Sequence, residues 1–524
     1  MKGVVSAGHN LTAKAGIEML KDGGNAFDAA LAACFASFVC ESPLTSIGGG
    51  GFLMAHDSHG QTLLYDFFPN VPGLGKDVRK ETLDFYPVDI DFGGTIQEFH
   101  IGKGSVAVPG CMAGLAEVFE RHCTLPLKAL LAPAIDYAAS GVELNKEQAL
   151  FKEILAPILT LTEEGRKVYA PGGVLLKEGE IVVKSDMADT LEHLAAEGLN
   201  AFYKGDISEK ILNHFGDGGL MTRQDLENYR VEIRKPLEIN YRGKRIYSNP
   251  PPSSSGGCLL AFSLKLIESY DLGKMGHNSA AALELLYKVM SLTDEARGED
   301  FDHRVYEPHI AHIFLAEERV ERYRRRIGGS LADLADYERP STGNTTHISV
   351  VDEKGNAASV TTSNGEGCGH MIPGAGVMLN NMLGEEDINP HGFHTQPAGT
   401  RMSSMMAPTI VMDGNSPSVV LGSGGSNRIK NAIFQVILNI IDHEMPVHDA
   451  VNSARAHWDK KLFQLEAGIS AGEIEKIKKA GIPLNCWDNK GMYFGGVHTV
   501  VAGCTAEGLT GAGDLRRGGV CLSV

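Results

Sequence analysis

Gly343-Asn344-Thr345-Thr346-His347 runs directly into Ile348-Ser349-Val350-Val351-Asp352, and this stretch decides the fold. Residues 345–351 alternate. Thr346, Ile348 and Val350 fall on one side, and Thr345, His347 and Ser349 on the other. A period of two in a segment rich in β-branched residues predicts a half-buried strand. Asp352-Glu353-Lys354-Gly355-Asn356 reads as a turn, and residues 357–362 as a returning strand, so the unit is expected to be a hairpin.

The threonine pair at the start of this strand has a chemical reading. A threonine hydroxyl is a weak nucleophile at neutral pH and needs a base beside it. Cutting the Asn344–Thr345 bond would give Thr345 a free α-amine, which titrates near ~7.7–8.0. That amine can take the hydroxyl proton and later return it, placing nucleophile and base on one residue. The Thr345 hydroxyl could make the cut itself, by attacking the Asn344 carbonyl to give an ester that water hydrolyses. Glu338 to Asn344 is polar, contains Pro340 and Gly343, and reads as the exposed linker that such a cut requires.

Working outward, Gly23-Gly24 ends one helix. Asn25 is placed to cap the next, with Asp28 in its first turn. Gly48 to Gly51 leads into a strand at Phe52-Leu53-Met54-Ala55, with a partner at residues 62–67. Residues 110–230 read mostly as helices. Residues 231–248 read as strands about a turn at Arg242-Gly243, and residues 279–335 as charged helices. After Thr345 come mostly strands, then helices near 428–444 and 447–456, and a closing strand at 497–501. Periodicity alone gives a mixed α/β chain.

Several blocks share their order and spacing with one known family. They are Thr345-Thr346-His347-Ile348-Ser349-Val350-Val351-Asp352, Gly23-Gly24-Asn25-Ala26-Phe27-Asp28-Ala29-Ala30, Ser46-Ile47-Gly48-Gly49-Gly50-Gly51-Phe52, Val108-Pro109-Gly110, Leu379-Asn380-Asn381 and Gly422-Ser423-Gly424-Gly425-Ser426. Together they resemble the γ-glutamyltranspeptidases, N-terminal-nucleophile hydrolases made as one chain and cut in two. The resemblance covers nearly the whole sequence. It implies a four-layer αββα fold, a large subunit of residues 1–344 and a small subunit of residues 345–524, intertwined in one unit. It also implies a γ-glutamyl amide such as glutathione as acyl donor, with water or an amino acid as acceptor.

Site roles carried over by the resemblance are as follows. Thr345 is the nucleophile, and Gly424 with Gly425 forms the oxyanion hole, as glycines ahead of a helix can. Ser403 and Ser404, or Ser404 alone, hold the substrate carboxylate, since the local spacing fits the family run only with a one-residue shift. Ser363 and Asn364 stand near the nucleophile, and Thr346 with Ser363 could orient the catalytic amine or hydroxyl. Asn381 precedes an acidic residue that pairs with the substrate ammonium. Glu385 fits best, with Glu386 and Asp387 as neighbours. The departure is Asp66-Phe67-Phe68-Pro69, where Phe68 stands in place of the family's carboxylate-binding arginine. An arginine fork grips a carboxylate; phenylalanine does not. Either Arg401 replaces it, or the acyl group is not γ-glutamyl and the chain acts on another small amide.

The chain has 524 residues, 43% of them hydrophobic, enough for a substantial core. Its 48 Lys+Arg against 65 Asp+Glu give −17, which disfavours nucleic acid and anionic membrane as partners. Nine cysteines without a C-x-x-C pair suggest reduced thiols. The N-terminus lacks an apolar signal core. The apolar run at 29–40 is too short to span a bilayer, so a cytoplasmic location is expected. His391 and His394, with Cys368 and His370, fit no zinc spacing, and no cofactor is expected. The expected partners are a small-molecule amide, its acceptor and the chain's own two fragments, with homo-oligomer formation left open. The rival of another class is an uncleaved binding protein.

Overall fold

The computed structural model describes residues 1–76, 80–91, 96–329, 345–503 and 508–524. The linker reading at 338–344, Asn344 included, lies outside the described residues.

The strands of the two large sheets before residue 345 are β1 (Gly3–Ala7), β2 (Gly50–His56), β3 (Thr62–Phe67), β4 (Glu232–Arg234), β5 (Leu237–Tyr241) and β6 (Lys244–Ser248). Those after it are β7 (Thr346–Asp352), β8 (Ala357–Ser363), β9 (Thr409–Asp413), β10 (Ser416–Gly424), β11 (Gly496–Val501), β12 (Thr510–Ala512) and β13 (Val520–Ser523). Two large sheets result. One runs β13-β1-β7-β8-β2-β3-β4, the other β12-β11-β10-β9-β6-β5. Each mixes strands from both sides of Thr345, so neither part of the chain holds a complete sheet.

The hairpin is as predicted. Thr346 pairs with Thr362 and Val351 with Ala357, and the turn closes through Asp352 N–H to Asn356 O. Its burial differs from the half-buried expectation, because every residue of β7 and β8 is buried. The polar face that sequence assigns to solvent is covered by the second sheet. His347 lies over Gly422, where a Cβ would come within 2.3 Å of the imidazole ring. Buried hydroxyls need partners, and here they find the opposite sheet's backbone. Ser349 Oγ donates to His498 O (3.0 Å), Ser359 Oγ to Leu421 O (3.0 Å) and Ser6 Oγ to Ala512 O (2.8 Å).

Helices cover the outer faces. On the first sheet lie α1 (Asn10–Lys21) and α2 (Ala26–Cys40), and Ile348 and Val350 of β7 join their apolar core. On the second lie α3 (Gly256–Ile267), α4 (Ala280–Ala296) and α5 (Arg428–Ile441). This is the αββα order. All of α2 is buried, and it begins with a capping box in which Asn25 Oδ1 accepts from Asp28 N–H while Asp28 Oδ2 accepts from Asn25 N–H. The hairpin turn adds to that cap, because Asp352 Oδ2 accepts from Ala26 N–H (2.9 Å). Asn25→Ala is expected to lower stability by about 1 kcal/mol, read from the denaturant midpoint.

Two further expectations change. The strand at 497–501 does not close the chain: β12 and β13 follow, and β13 pairs with β1. The second of the late helices is short, Val447–Asn452, and Ala456 begins a strand. Among the described residues no helix is long and apolar enough to cross a membrane.

Candidate active site

Thr345 precedes the first rung of β7, at the end of the sheet where β10 also stops. It is 4% exposed and lines a small cavity with Phe68, Ser363, Met382, Glu385, Ile388, Ser404, Met405, Met406, Ser426 and Ile429. Its carbonyl oxygen accepts from Arg517 Nη1 (3.1 Å). β10 ends at Gly424, where a Cβ would stand 2.0 Å from that same oxygen. Gly425 follows at φ +122°, a conformation that side chains resist, and α5 starts at Arg428. The glycine pair therefore brings bare backbone against Thr345, ahead of a helix N-terminus.

The remaining sequence-derived residues divide into two groups. Ser363, Ser404 and Glu385 reach the cavity. Of the serine pair, Ser404 lines the cavity and Ser403 does not. Thr346 faces away. Successive strand residues point to opposite sides, and its hydroxyl donates to Glu41 Oε2 (2.6 Å) under α2, turned away from the Thr345 side chain that it was expected to orient. Asn364 does not line the cavity; its Nδ2 donates to the carbonyls of Met378 and Leu379. Asn381 also holds the loop: its Oδ1 accepts from Glu366 N–H (2.8 Å) and its Nδ2 donates to His100 O (3.3 Å). Asp387 is engaged by Ser426 Oγ and Asn427 Nδ2, so it braces the glycine turn.

Among the described residues lining the cavity, no arginine takes the place of the family's carboxylate-binding one. Phe68 stacks on Phe52 with centroids 5.5 Å apart, forming one wall of the cavity. Arg401 lies behind that wall. Its Nη1 donates to Phe68 O, Tyr229 OH and Asp66 Oδ1, and its Nη2 to Arg230 O. Of the described residues lining the cavity, none is Arg or Lys. The one ionisable group among them is Glu385. Burial, with Glu366 and Asp387 adding like charge, pushes its carboxyl well above the usual range, and its Oε1 has no protein partner.

Two residues near Thr345 and Thr346 escape sequence reasoning. Arg517 comes from the C-terminal turn. Burial, with Arg428 close by, lowers its pKa to about 10, so it stays charged at neutral pH. Glu41 ends the apolar helix α2 and is 0% exposed. A lone acid straight after fifteen buried residues, just ahead of the glycine run, is the signal that could have singled it out. The run Gly48 to Gly51 has a structural reason as well: a Cβ at Gly49 would sit 2.2 Å from Ser363 O.

A threonine at the head of a central strand, between facing sheets and against a bare glycine turn, defines an N-terminal-nucleophile hydrolase. The family described as Gamma-glutamyltranspeptidase matches residues 12–524, and the chain belongs to it. It is 30% identical to the glutathione hydrolase proenzyme of Escherichia coli, over 98% of this chain and 90% of that protein. It is 32% identical to the acylase ACY 1 proenzyme of Pseudomonas sp. (strain V22), over 92% and 87% respectively. Among solved structures, cephalosporin acylase from Bacillus halodurans shares the fold with a TM-score of 0.85 at 24% identity, covering 99% of this chain and 95% of that one. The γ-glutamyltranspeptidase of Helicobacter pylori is 30% identical with a TM-score of 0.53, over 61% of this chain and 90% of that one.

Proposed function

We propose that this enzyme cuts itself at Asn344–Thr345 and then hydrolyses amides whose acyl part carries no carboxylate beside the amine. In the first step Thr345 Oγ attacks the Asn344 carbonyl carbon and the peptide C–N bond breaks. An ester and a free α-amine result, and water hydrolyses the ester to an Asn344 carboxylate. In turnover the α-amine takes the Thr345 hydroxyl proton as Oγ attacks the substrate amide. Backbone at Gly424 and Gly425 faces the developing oxyanion, and the proton passes to the departing amine. Water, or an amine acceptor, then releases the acyl group. The two fragments stay together because each sheet needs strands from both.

The cavity chemistry supports the acyl preference. A γ-glutamyl group brings an ammonium and a carboxylate together. Glu385 can answer the ammonium, and a carboxylate would meet Phe68, Met405 and Ile429. Burying an unpaired charge there is costly.

Three p-nitroanilides separate the readings: γ-glutamyl, 4-aminobutyryl (the same chain without the carboxylate) and butyryl. The 4-aminobutyryl compound is expected to exceed γ-glutamyl in kcat/KM by at least about tenfold, the equivalent of ~1.4 kcal/mol. Butyryl should fall between them. If γ-glutamyl is turned over fastest, the chain is a glutathione hydrolase in the narrow sense and the cavity reading is wrong.

A further inference from the structure

A carboxyl group sealed under the nucleophile strand has no part in the chemistry above. Glu41 Oε1 accepts from Thr12 Oγ1 of α1 (2.7 Å) and Oε2 from Thr346 Oγ1 of β7 (2.6 Å). Space for it is cleared by Gly8, where a Cβ would lie 2.4 Å from Oε2. Its backbone carbonyl accepts from Leu44 and Thr45 N–H, so the turn that carries it is tight. From the same turn Thr45 Oγ1 donates to Thr362 Oγ1 (2.8 Å), the cross-strand partner of Thr346. One short turn thus grips both members of the first hairpin rung. Burying a carboxyl where an apolar side chain would fill the space is a poor route to stability alone.

We propose that Glu41 is a positioning residue for the nucleophile. By accepting the Thr346 hydroxyl it keeps the start of β7 seated once the bond ahead of Thr345 is cut, an assignment that rests on the self-cleavage reading. A freed terminus frays unless it is tied down. Thr345 lies beyond the ladder, where Arg517 Nη1 donates to its carbonyl oxygen (3.1 Å).

The test compares processed wild type with Glu41→Leu, Thr346→Val, their combination and Thr346→Ser. It reads hydrogen exchange of the first peptide of the fragment beginning at Thr345, with kcat and KM on 4-aminobutyryl p-nitroanilide. Glu41→Leu and Thr346→Val should each speed exchange there by about tenfold or more and lower kcat by a similar factor, with KM little changed. The double variant should be no worse than either single one, and Thr346→Ser should restore both readouts. Should Glu41→Leu fail to fold or to cut itself, Thr346→Val carries the measurement. Wild-type exchange and kcat in Thr346→Val, or additive losses in the double variant, overturn the assignment while leaving self-cleavage intact. A wild-type chain that never cuts itself overturns both.

Discussion

Thr345→Ala is expected to leave the chain whole at 56.2 kDa and without amidase activity, while wild type is expected to resolve into two fragments meeting at Asn344–Thr345. The variant removes the only atom assigned to attack in both reactions. The residue is nearly enclosed, and alanine retains Cβ, so packing changes little and the fold should survive. Loss of a nucleophile of this kind costs about 10⁶-fold where it has been measured, so residual turnover should be undetectable. Intact mass and N-terminal sequencing of the smaller fragment read the cut, and the p-nitroanilide panel reads activity. Cleavage persisting at the same bond in the variant would mean that another group or an external protease makes it. Undiminished turnover by an uncut wild-type chain would remove the α-amine from the mechanism.

Gly424→Ala is expected to lower kcat by at least about 10²-fold and to slow self-cleavage with it. The reason is distance. A methyl at that position would stand 2.0 Å from Thr345 O, against backbone that is itself buried and held by Arg517. Either β10 or the start of β7 must move, and both carry the reacting centre. Overpacking of this kind commonly costs about 1–3 kcal/mol of stability, so thermal unfolding of the variant should be followed alongside. Gly495→Ala is a useful comparison. It lies at positive φ in the neighbouring turn, where a Cβ would meet Ser423 Oγ at 2.9 Å instead of the Thr345 carbonyl. It should destabilise with a much smaller effect on kcat per folded molecule. Equal kcat losses in the two would assign the effect to general strain in the turn.

The parts of this site that could be read in advance are those fixed by local sequence. Alternation from Thr345 to Val351 gave the strand, and the turn at 352–356 gave its hairpin partner at 357–362, because a turn holding Gly355 sends the chain straight back. Asn25 and Asp28 announced the cap of α2, since a capping box closes within four residues. Gly424 and Gly425 ahead of an apolar helix marked a place where backbone could approach a reacting atom. The contacts that went unread join distant segments. Thr346 was expected to orient the catalytic amine or hydroxyl, yet its own hydroxyl meets Glu41, 305 residues earlier. Arg401 looked free to replace the missing arginine, but Asp66, Tyr229 and the Phe68 carbonyl occupy it. The choice between Ser403 and Ser404 depended on which of them faced the cavity.

By itself the sequence singled out Thr345, the strand it leads and the glycine turn, because these follow from residue type and spacing over a few positions. Only the tertiary structure decided that the cavity has an apolar wall and a single acid, and that a buried carboxyl grips the strand from behind. Those features exist only where side chains hundreds of residues apart are excluded from water together, and no local pattern records which partner will satisfy each buried polar group.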